Sequence, residues 1–212
     1  MSKALLVCGG LAPPYAAIKA LAATCACLCA ADSGLDSLHA WGLKPDLIVG
    51  DMDSLSSRKL LDGYRRAGVD ILEQDTYKDD TDTETGLRIL RQRGHDWIAI
   101  AGGGGGRLDH LLAIRALFER PDGPAEWYTD RERVIKLERA TILRPGKGQL
   151  VSVFPLGGAG ASGMASRGLE WPLNGLVWPA GGFGISNLST ADTVSIDPGP
   201  QPLLVIVPLA GC

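Results

Sequence analysis

The stretch Asp46-Leu-Ile-Val-Gly50-Asp-Met-Asp53 holds a short apolar run that ends in two acidic residues. An apolar run of this length, closed by a glycine, favours a buried strand. In open α/β sheets, ligands bind outside the carboxyl ends of the strands. The stretch therefore predicts a sheet strand with a polar site directly after it.

The same pattern of a short apolar run followed by a helix pattern repeats on both sides of this stretch. Strands alternating with helices of about ten residues are typical of a parallel sheet covered on both faces. We therefore predict a three-layer α/β domain with a mostly parallel sheet over residues 1–130. Its predicted strands are 3–8, 25–31, 46–50, 69–72 and 97–101, and its predicted helices are 15–24, 35–41, 58–67, 82–93 and 109–118.

The sequence changes character after Asp130. Short strand patterns at 134–137, 150–155 and 203–207 are separated by Gly, Pro, Asn and Ser clusters without a helix pattern. This favours a β-sandwich or barrel domain over residues 131–212. From residue 140 onward only six charged residues occur, which is typical either of a subunit interface or of a β domain with a Gly/Pro-rich surface. Trp171 and Trp178 would be core anchors or ligand platforms, and the sequence favours neither.

Composition excludes several classes of protein. Glycine supplies 28 of the 212 residues, well above its usual share of about 7%, but there is no Gly-X-Y repeat. Hydrophobic residues at 45% and charged residues at 21% favour a folded core over disorder. The net charge of −3 gives no basic surface for nucleic acid, and no apolar run is long enough to predict a membrane span.

The cysteines and the first residues bear on the compartment. Cys25, Cys27 and Cys29 alternate as on one face of a strand, unlike a disulfide framework or a zinc site. We interpret them as small buried residues of a protein in the reducing cytoplasm. The segment from Met1 to Gly10 predicts a strand and a turn rather than a signal peptide.

Acidic residues suggest a metal site. In extended chain Asp51 and Asp53 point to the same side, and two like charges that close repel unless a cation lies between them. Carboxylate oxygens suit Mg²⁺, which takes its remaining ligands from water and substrate phosphates. A loop with two Asx turns is the alternative, but the position after a strand and a second acidic cluster favour the metal. That cluster comprises Asp75, Asp79, Asp80, Asp82 and Glu84.

A glycine run, Gly102 to Gly106, precedes the predicted helix that starts at Asp109. Without Cβ atoms its amides can approach phosphate oxygens, and the helix N-terminus adds partial positive charge; a flexible linker is the alternative. Arg107 at a helix start is disfavoured by the helix dipole, which an anionic ligand would explain, with a surface arginine as the alternative. We expect His110 to be buried and hydrogen-bonded rather than a catalytic base.

Together these stretches resemble the thiamine pyrophosphokinase family. Seven motifs in the right order make the resemblance specific, although Ser33 stands where a glycine is common and the glycine run is longer than usual. The matching stretches are Ala31 to Gly34, Gly42 to Ser54, Lys78 to Asp82, Gly102 to His110, Gly168 to Leu173, Gly184 to Asn187 and Pro202 to Ile206.

The resemblance implies transfer of the pyrophosphoryl group of ATP to the hydroxyl of thiamine, giving thiamine diphosphate and AMP. It implies an α/β domain joined to a β-sandwich, in a homodimer with thiamine near the subunit interface. Two alternatives remain: a pyrophosphokinase for another small alcohol such as a hydroxymethylpterin, and a nucleotide-binding module without catalysis. The presence of all the acidic residues and of the arginine counts against the second.

The resemblance also implies roles for residues of the first domain. Asp51, Asp53 and Asp82 would hold Mg²⁺ on the ATP phosphates, and Arg107 would contact the phosphates in the transition state. Asp109 would orient Arg107 or cap its helix. The nucleotide would lie against Gly9, Gly10, Asp32, Gly105, Gly106, Arg107 and Asp109.

In the second domain the resemblance points to a thiamine site. Trp171 would stack on the thiamine pyrimidine, since a flat cationic ligand favours an aromatic face. Ser186 and Asn187 would hydrogen-bond the same ligand. No general base stands out, and an aspartate of the Mg²⁺ site would take the hydroxyl proton.

Overall fold

The computed structural model describes residues 1–73 and 80–209. The chain splits into two compact units, of which the first is Met1–Asp130 and the second begins at Arg131. Asp75 and Asp79 of the predicted acidic cluster, and Lys78 of the corresponding motif, lie outside the described residues. Within the described part of the chain, no helix has both the length and the apolar character needed to cross a membrane.

The first unit alternates strands and helices, as predicted. All its described strands pair in parallel, in the order β6-β5-β1-β2-β3-β4. The predicted parallel α/β class is confirmed. The elements are β1 Lys3–Val7, α1 Tyr15–Ala22, β2 Cys27–Ala31, α2 Gly34–Ala40, β3 Leu47–Gly50, α3 Arg58–Arg66, β4 Asp70–Glu73, α4 Asp82–Gln92, β5 Trp97–Ala101, α5 Leu108–Leu117 and β6 Glu126–Tyr128.

The order of the strands changes direction at β1 and β5. From β1 the chain moves outward through β2 and β3 to β4, then returns to build β5 and β6 on the other side. The connections from β1 to β2 and from β5 to β6 therefore run toward opposite edges of the sheet. In open α/β sheets, this is the point at which ligands bind. The central strands are buried on both faces, so they read as continuous apolar runs.

Two local predictions for this unit are wrong. Strand β6 went unpredicted, because its three residues include Glu126 and form no apolar run. Cys25 precedes β2 and is only half-buried, whereas Cys27 and Cys29 are buried in the strand. The expected cysteine face therefore has two buried members.

The second unit is built from antiparallel strands, and the predicted all-β class is confirmed. One sheet has the order β11-β9-β13-β7 and the other β10-β12-β8. Their shared core includes Val151, Val194 and Val205, and Trp178 packs against it. The strands are β7 Glu132–Leu137, β8 Thr141–Leu143, β9 Leu150–Pro155, β10 Ala165–Arg167, β11 Gly184–Leu188, β12 Val194–Asp197 and β13 Leu203–Pro208.

Candidate active site

A cavity of about 470 Å³ lies in the first unit, among the loops that follow its parallel strands. One part of its wall is apolar, formed by Ala113, Ile114 and Leu117 of α5. The other part is polar and comes from five separate segments of the chain. These polar and glycine residues are Gly9, Gly10, Asp32, Ser33, Ser54, Thr81, Asp82, Thr83, Gly103, Gly104, Gly106, Arg107 and His110.

Three carboxylates meet beside this cavity. One oxygen each of Asp32, Asp51 and Asp53 lies within 4.8 Å of the other two. The chain reaches this arrangement through Met52, which is buried and has a left-handed φ of 62°. The expected extended Asp-Met-Asp segment is therefore wrong: the backbone turns over a buried methionine. The Asp53 amide donates to Asp51 Oδ1 at 3.2 Å, so the Asx-type turn and the acidic cluster occur together.

Asp32 is the most constrained of the three. It is 8% exposed, has a left-handed φ of 47°, and its Oδ1 has no hydrogen-bond partner in the described part of the chain. Burial raises the pKa of Asp32 and the charges of Asp82 and Asp51 raise it further, against hydrogen bonds from Ser54 and the Ser33 backbone. A buried carboxylate oxygen left unpaired beside two further carboxylates fits a divalent cation with oxygen ligands.

The acidic residues are thus grouped differently from the expectation. The resemblance implied a metal set of Asp51, Asp53 and Asp82, with Asp32 by the nucleotide. The structure brings Asp32 together with Asp51 and Asp53, while Asp82 lines the cavity at the first position of α4. Asp82 remains near enough for its charge to act on Asp32.

The glycine loops after β1 and β5 pack directly on each other. Gly103 donates to Gly9 O at 2.7 Å, and Leu11 donates to Gly104 O at 2.8 Å. A Cβ on Gly10 would lie 3.0 Å from Gly104 O, so a larger residue would push these loops apart. Gly105 was expected beside the nucleotide; it does not line the cavity, and a Cβ added there would lie 2.2 Å from Leu11 Cδ1.

Arg107 is held in place by Asp109. Its Nε donates to Asp109 Oδ1 at 3.1 Å and its Nη2 to Oδ2 at 2.6 Å. This two-pronged hydrogen bond lowers the pKa of Asp109. Asp109 also accepts from the His110 amide at 3.0 Å, so one carboxylate orients the arginine and accepts from an amide in the first turn of α5. The guanidinium remains exposed at the cavity wall.

His110 does not have the environment that we expected. It is exposed and lines the cavity, so the prediction of a buried, hydrogen-bonded histidine is wrong. His110 lies in the first turn of α5, directly after the glycine loop, and this turn is at the cavity wall.

The predicted thiamine residues cluster in the second unit around β11. Trp171 is 59% exposed, and Asn187 holds its backbone: Asn187 Oδ1 accepts from the Trp171 amide at 3.1 Å and Nδ2 donates to Trp171 O at 2.6 Å. Ser186 has a left-handed φ of 58° within a register shift of the strand. Asn187 is buried with both polar atoms engaged, so in this structure it supports Trp171 and does not present a free amide.

Comparison with known proteins identifies the family. Residues 18–122 match the catalytic domain of thiamin pyrophosphokinase. This chain belongs to the thiamin pyrophosphokinase family. No curated protein matches it. Membership makes the chain an enzyme of this type, one that transfers a pyrophosphoryl group from ATP to thiamine.

Solved structures of thiamin pyrophosphokinases share the fold along nearly the whole chain. A family protein from Enterococcus faecalis is 24% identical with a TM-score of 0.78, covering 98% of this chain and 99% of its own. The Bacillus subtilis enzyme is 20% identical with a TM-score of 0.80, covering 99% and 100%. The yeast enzyme is 18% identical with a TM-score of 0.73, covering 98% and 86%. At these identities the likeness establishes the fold.

Sequence reasoning about this thiamin pyrophosphokinase family member missed part of the cavity wall. Thr81 and Thr83 line the cavity, and the pattern Thr81-Asp-Thr-Glu84 carries the signal of a capping box, in which a threonine and a glutamate three residues later close a helix start. Ser54, whose hydroxyl donates to Asp53 Oδ1 at 2.9 Å, had no comparable signal. The acidic cluster with Asp32 depends on neighbouring parallel strands, which no local pattern shows.

Proposed function

We propose that the cavity of the first unit binds ATP with Mg²⁺ and is where the pyrophosphoryl group is transferred to thiamine. The observation that carries this proposal is the acidic cluster beside a cavity edged by glycine loops, with a buried Asp32 Oδ1 that no described residue satisfies. Such a set of oxygen ligands, next to backbone that can approach phosphates, suits a metal-bound polyphosphate.

Asp32, Asp51 and Asp53 would hold the Mg²⁺, together with Asp82, whose charge also acts on Asp32. When bound, the metal neutralises phosphate charge and favours in-line displacement. The protein keeps the carboxylates in place before any ligand arrives, through the turn over buried Met52 and the left-handed Asp32. An aspartate of this cluster would take the proton of the thiamine hydroxyl.

Arg107, in the cavity wall after the glycine loop, would support the transfer. Its guanidinium is already oriented by Asp109, so it can stabilise charge that develops on the transferred phosphoryl oxygens with little reorganisation. The amides of Gly9, Gly10 and Gly106 and the N-terminus of α5 would contact the phosphates. Hydrogen bonds between the two glycine loops, among them that from Gly103 to Gly9 O, fix the backbone beside Gly10.

The second unit supplies the thiamine contacts in this proposal. The exposed Trp171 ring would stack on the pyrimidine, Ser186 would hydrogen-bond it, and Asn187 would fix the tryptophan loop. We also propose a homodimer, supported by the sparse charge and exposed apolar side chains of this unit. The free thiols of Cys8, Cys25, Cys27 and Cys29 support a reducing compartment, the cytoplasm.

The function is tested by AMP release from ATP, Mg²⁺ and thiamine, against the same mixture without thiamine. We expect thiamine-dependent AMP release that falls by orders of magnitude in Asp51→Asn and stays unchanged in Asp62→Asn, an exposed aspartate on α3. A hydroxymethylpterin in place of thiamine checks the alternative substrate. Saturable ATP binding without AMP release would contradict the proposal and favour a non-catalytic module.

A further inference from the structure

Three consecutive residues of the cavity wall, Thr81, Asp82 and Thr83, are held by a single capping box at the start of α4. The Glu84 amide donates to Thr81 Oγ1 at 3.2 Å. In return Glu84 Oε2 accepts from the Thr81 amide at 3.0 Å. Asp82 lies between these two residues, so the position of its backbone depends on where the Glu84 side chain is held.

Arg120 holds that side chain. Its Nη2 donates to Glu84 Oε1, the oxygen that the capping box leaves available. Although burial opposes ionisation, hydrogen bonds from the Thr81 backbone and from Arg120 lower the pKa of Glu84. The glutamate is therefore a charged acceptor with each oxygen assigned to one partner. Its side chain is 17% exposed, against 52% for Arg120.

The turn that carries Arg120 is itself tied to α4. Arg91, near the other end of that helix, donates from Nε to Asp122 O at 2.8 Å and from Nη2 to Gly123 O at 2.6 Å. Arg120 and Arg91 thus fasten the segment after α5 to α4 at two places along the helix. Helix α5 begins directly after Arg107 and helix α4 begins at Asp82, and both of these residues line the cavity. The contacts of Arg120 and Arg91 therefore connect two helices whose first turns lie at the cavity.

We infer that Arg120 is a positioning residue: through Glu84 it sets the placement of Asp82 at the nucleotide cavity. The inference rests on the proposed nucleotide function of that cavity. The arginine end of this pair is 52% exposed, and ion pairs at the surface contribute little to global stability. A change at Arg120 therefore alters the geometry of a charged group in the site without unfolding the protein.

The test uses Arg120→Gln, with Arg115→Gln as the matched control, because Arg115 in the last turn of α5 forms an ion pair with Glu119, two residues beyond the end of that helix. We expect Arg120→Gln to lower kcat about tenfold, in the range of outer-shell substitutions, and to leave the KM for thiamine unchanged. It should also reduce the rise in Tm that ATP plus Mg²⁺ produces without thiamine. Arg120→Lys should restore part of both effects.

Asp82→Asn provides the decisive background. If Arg120 acts through Asp82, adding Arg120→Gln to Asp82→Asn lowers kcat no further. An equal fold loss in both backgrounds, or wild-type kcat and Tm shift in Arg120→Gln, would overturn the inference. If wild-type protein itself shows no Tm shift with ATP plus Mg²⁺, the proposed nucleotide function fails, and the two failures are distinguishable.

Discussion

At the scale of single residues, burial disfavours the ionised form of Asp32, which is the form that the proposed metal site needs. Its raised pKa means that the folded state binds the proton more tightly than the unfolded state. The free energy of unfolding of the metal-free protein therefore falls as pH rises from the ordinary carboxyl pKa through the raised one. At neutral pH the ionised group destabilises the fold. We expect Asp32→Asn to raise Tm in EDTA at pH 7, measured by calorimetry, while abolishing AMP release.

The same variant should lose the stabilisation by ligand. Anything that binds only the folded protein raises its stability to a degree set by its affinity and concentration. ATP plus Mg²⁺ should therefore raise the Tm of wild-type protein more than that of Asp32→Asn. If Asp32→Asn is less stable than wild type in EDTA, the buried charge of Asp32 does not destabilise the folded protein, and the expectation is wrong.

Trp171 is the residue on which the proposed thiamine site depends. Stacking of two aromatic rings contributes about 0.5–1.5 kcal/mol, so Trp171→Ala should raise the KM for thiamine about two- to twelvefold and leave the KM for ATP nearly unchanged. Steady-state kinetics with each substrate varied in turn measures this. Because the ring is exposed, Tm should hardly change. Trp178→Ala is the control: Trp178 packs against the core, so it should lower Tm.

At the scale of elements, the packing of α2 on β1 depends on the absence of a side chain. A Cβ on Gly34 would lie 2.0 Å from Val7 O and 2.9 Å from Cys8 Cα, both backbone atoms that cannot move aside. Gly34→Ala should therefore lower the free energy of unfolding by about 1–3 kcal/mol or more, as is typical when a methyl group is forced into a packed core. Urea unfolding with one slope for both proteins measures the difference.

Gly63 is the matched control for that substitution. It lies within α3, and a Cβ added there would meet nothing within 4 Å among the described residues beyond its own helix. Because glycine inside a helix is less stable than alanine by roughly 0.5–1 kcal/mol, Gly63→Ala should raise the midpoint of unfolding. Equal effects of the two substitutions would show that backbone freedom, and not the close approach of α2 to β1, controls the outcome at Gly34.

The elements also show what the sequence could predict. Strands β1, β3 and β5 are buried on both faces, so each reads as an apolar run and was predicted. Strand β6 owes its place to pairing with β5, which a three-residue stretch cannot signal. The glycine run and Arg107 were predictable as a loop at the site, and most of this loop lines the cavity. The acidic cluster was predictable only in part, because Asp32 meets Asp51 and Asp53 through the neighbouring position of β2 and β3.

At the scale of the whole molecule, the second unit carries the case for a homodimer. Its strand β11 lies at one end of the order β11-β9-β13-β7. Ile185 in this strand and Phe183 directly before it are exposed. A strand at a sheet end that carries exposed apolar side chains favours pairing with another chain. We expect a dimer by light scattering, and a shift to monomer in Ile185→Asp.

Ile142→Asp, on β8 of the other sheet, is the control, since Ile142 is similarly exposed, at 68% against 60%. If Ile142→Asp dissociates the protein and Ile185→Asp does not, the interface involves the other sheet; a wild-type monomer with full activity removes the dimer from the proposed function.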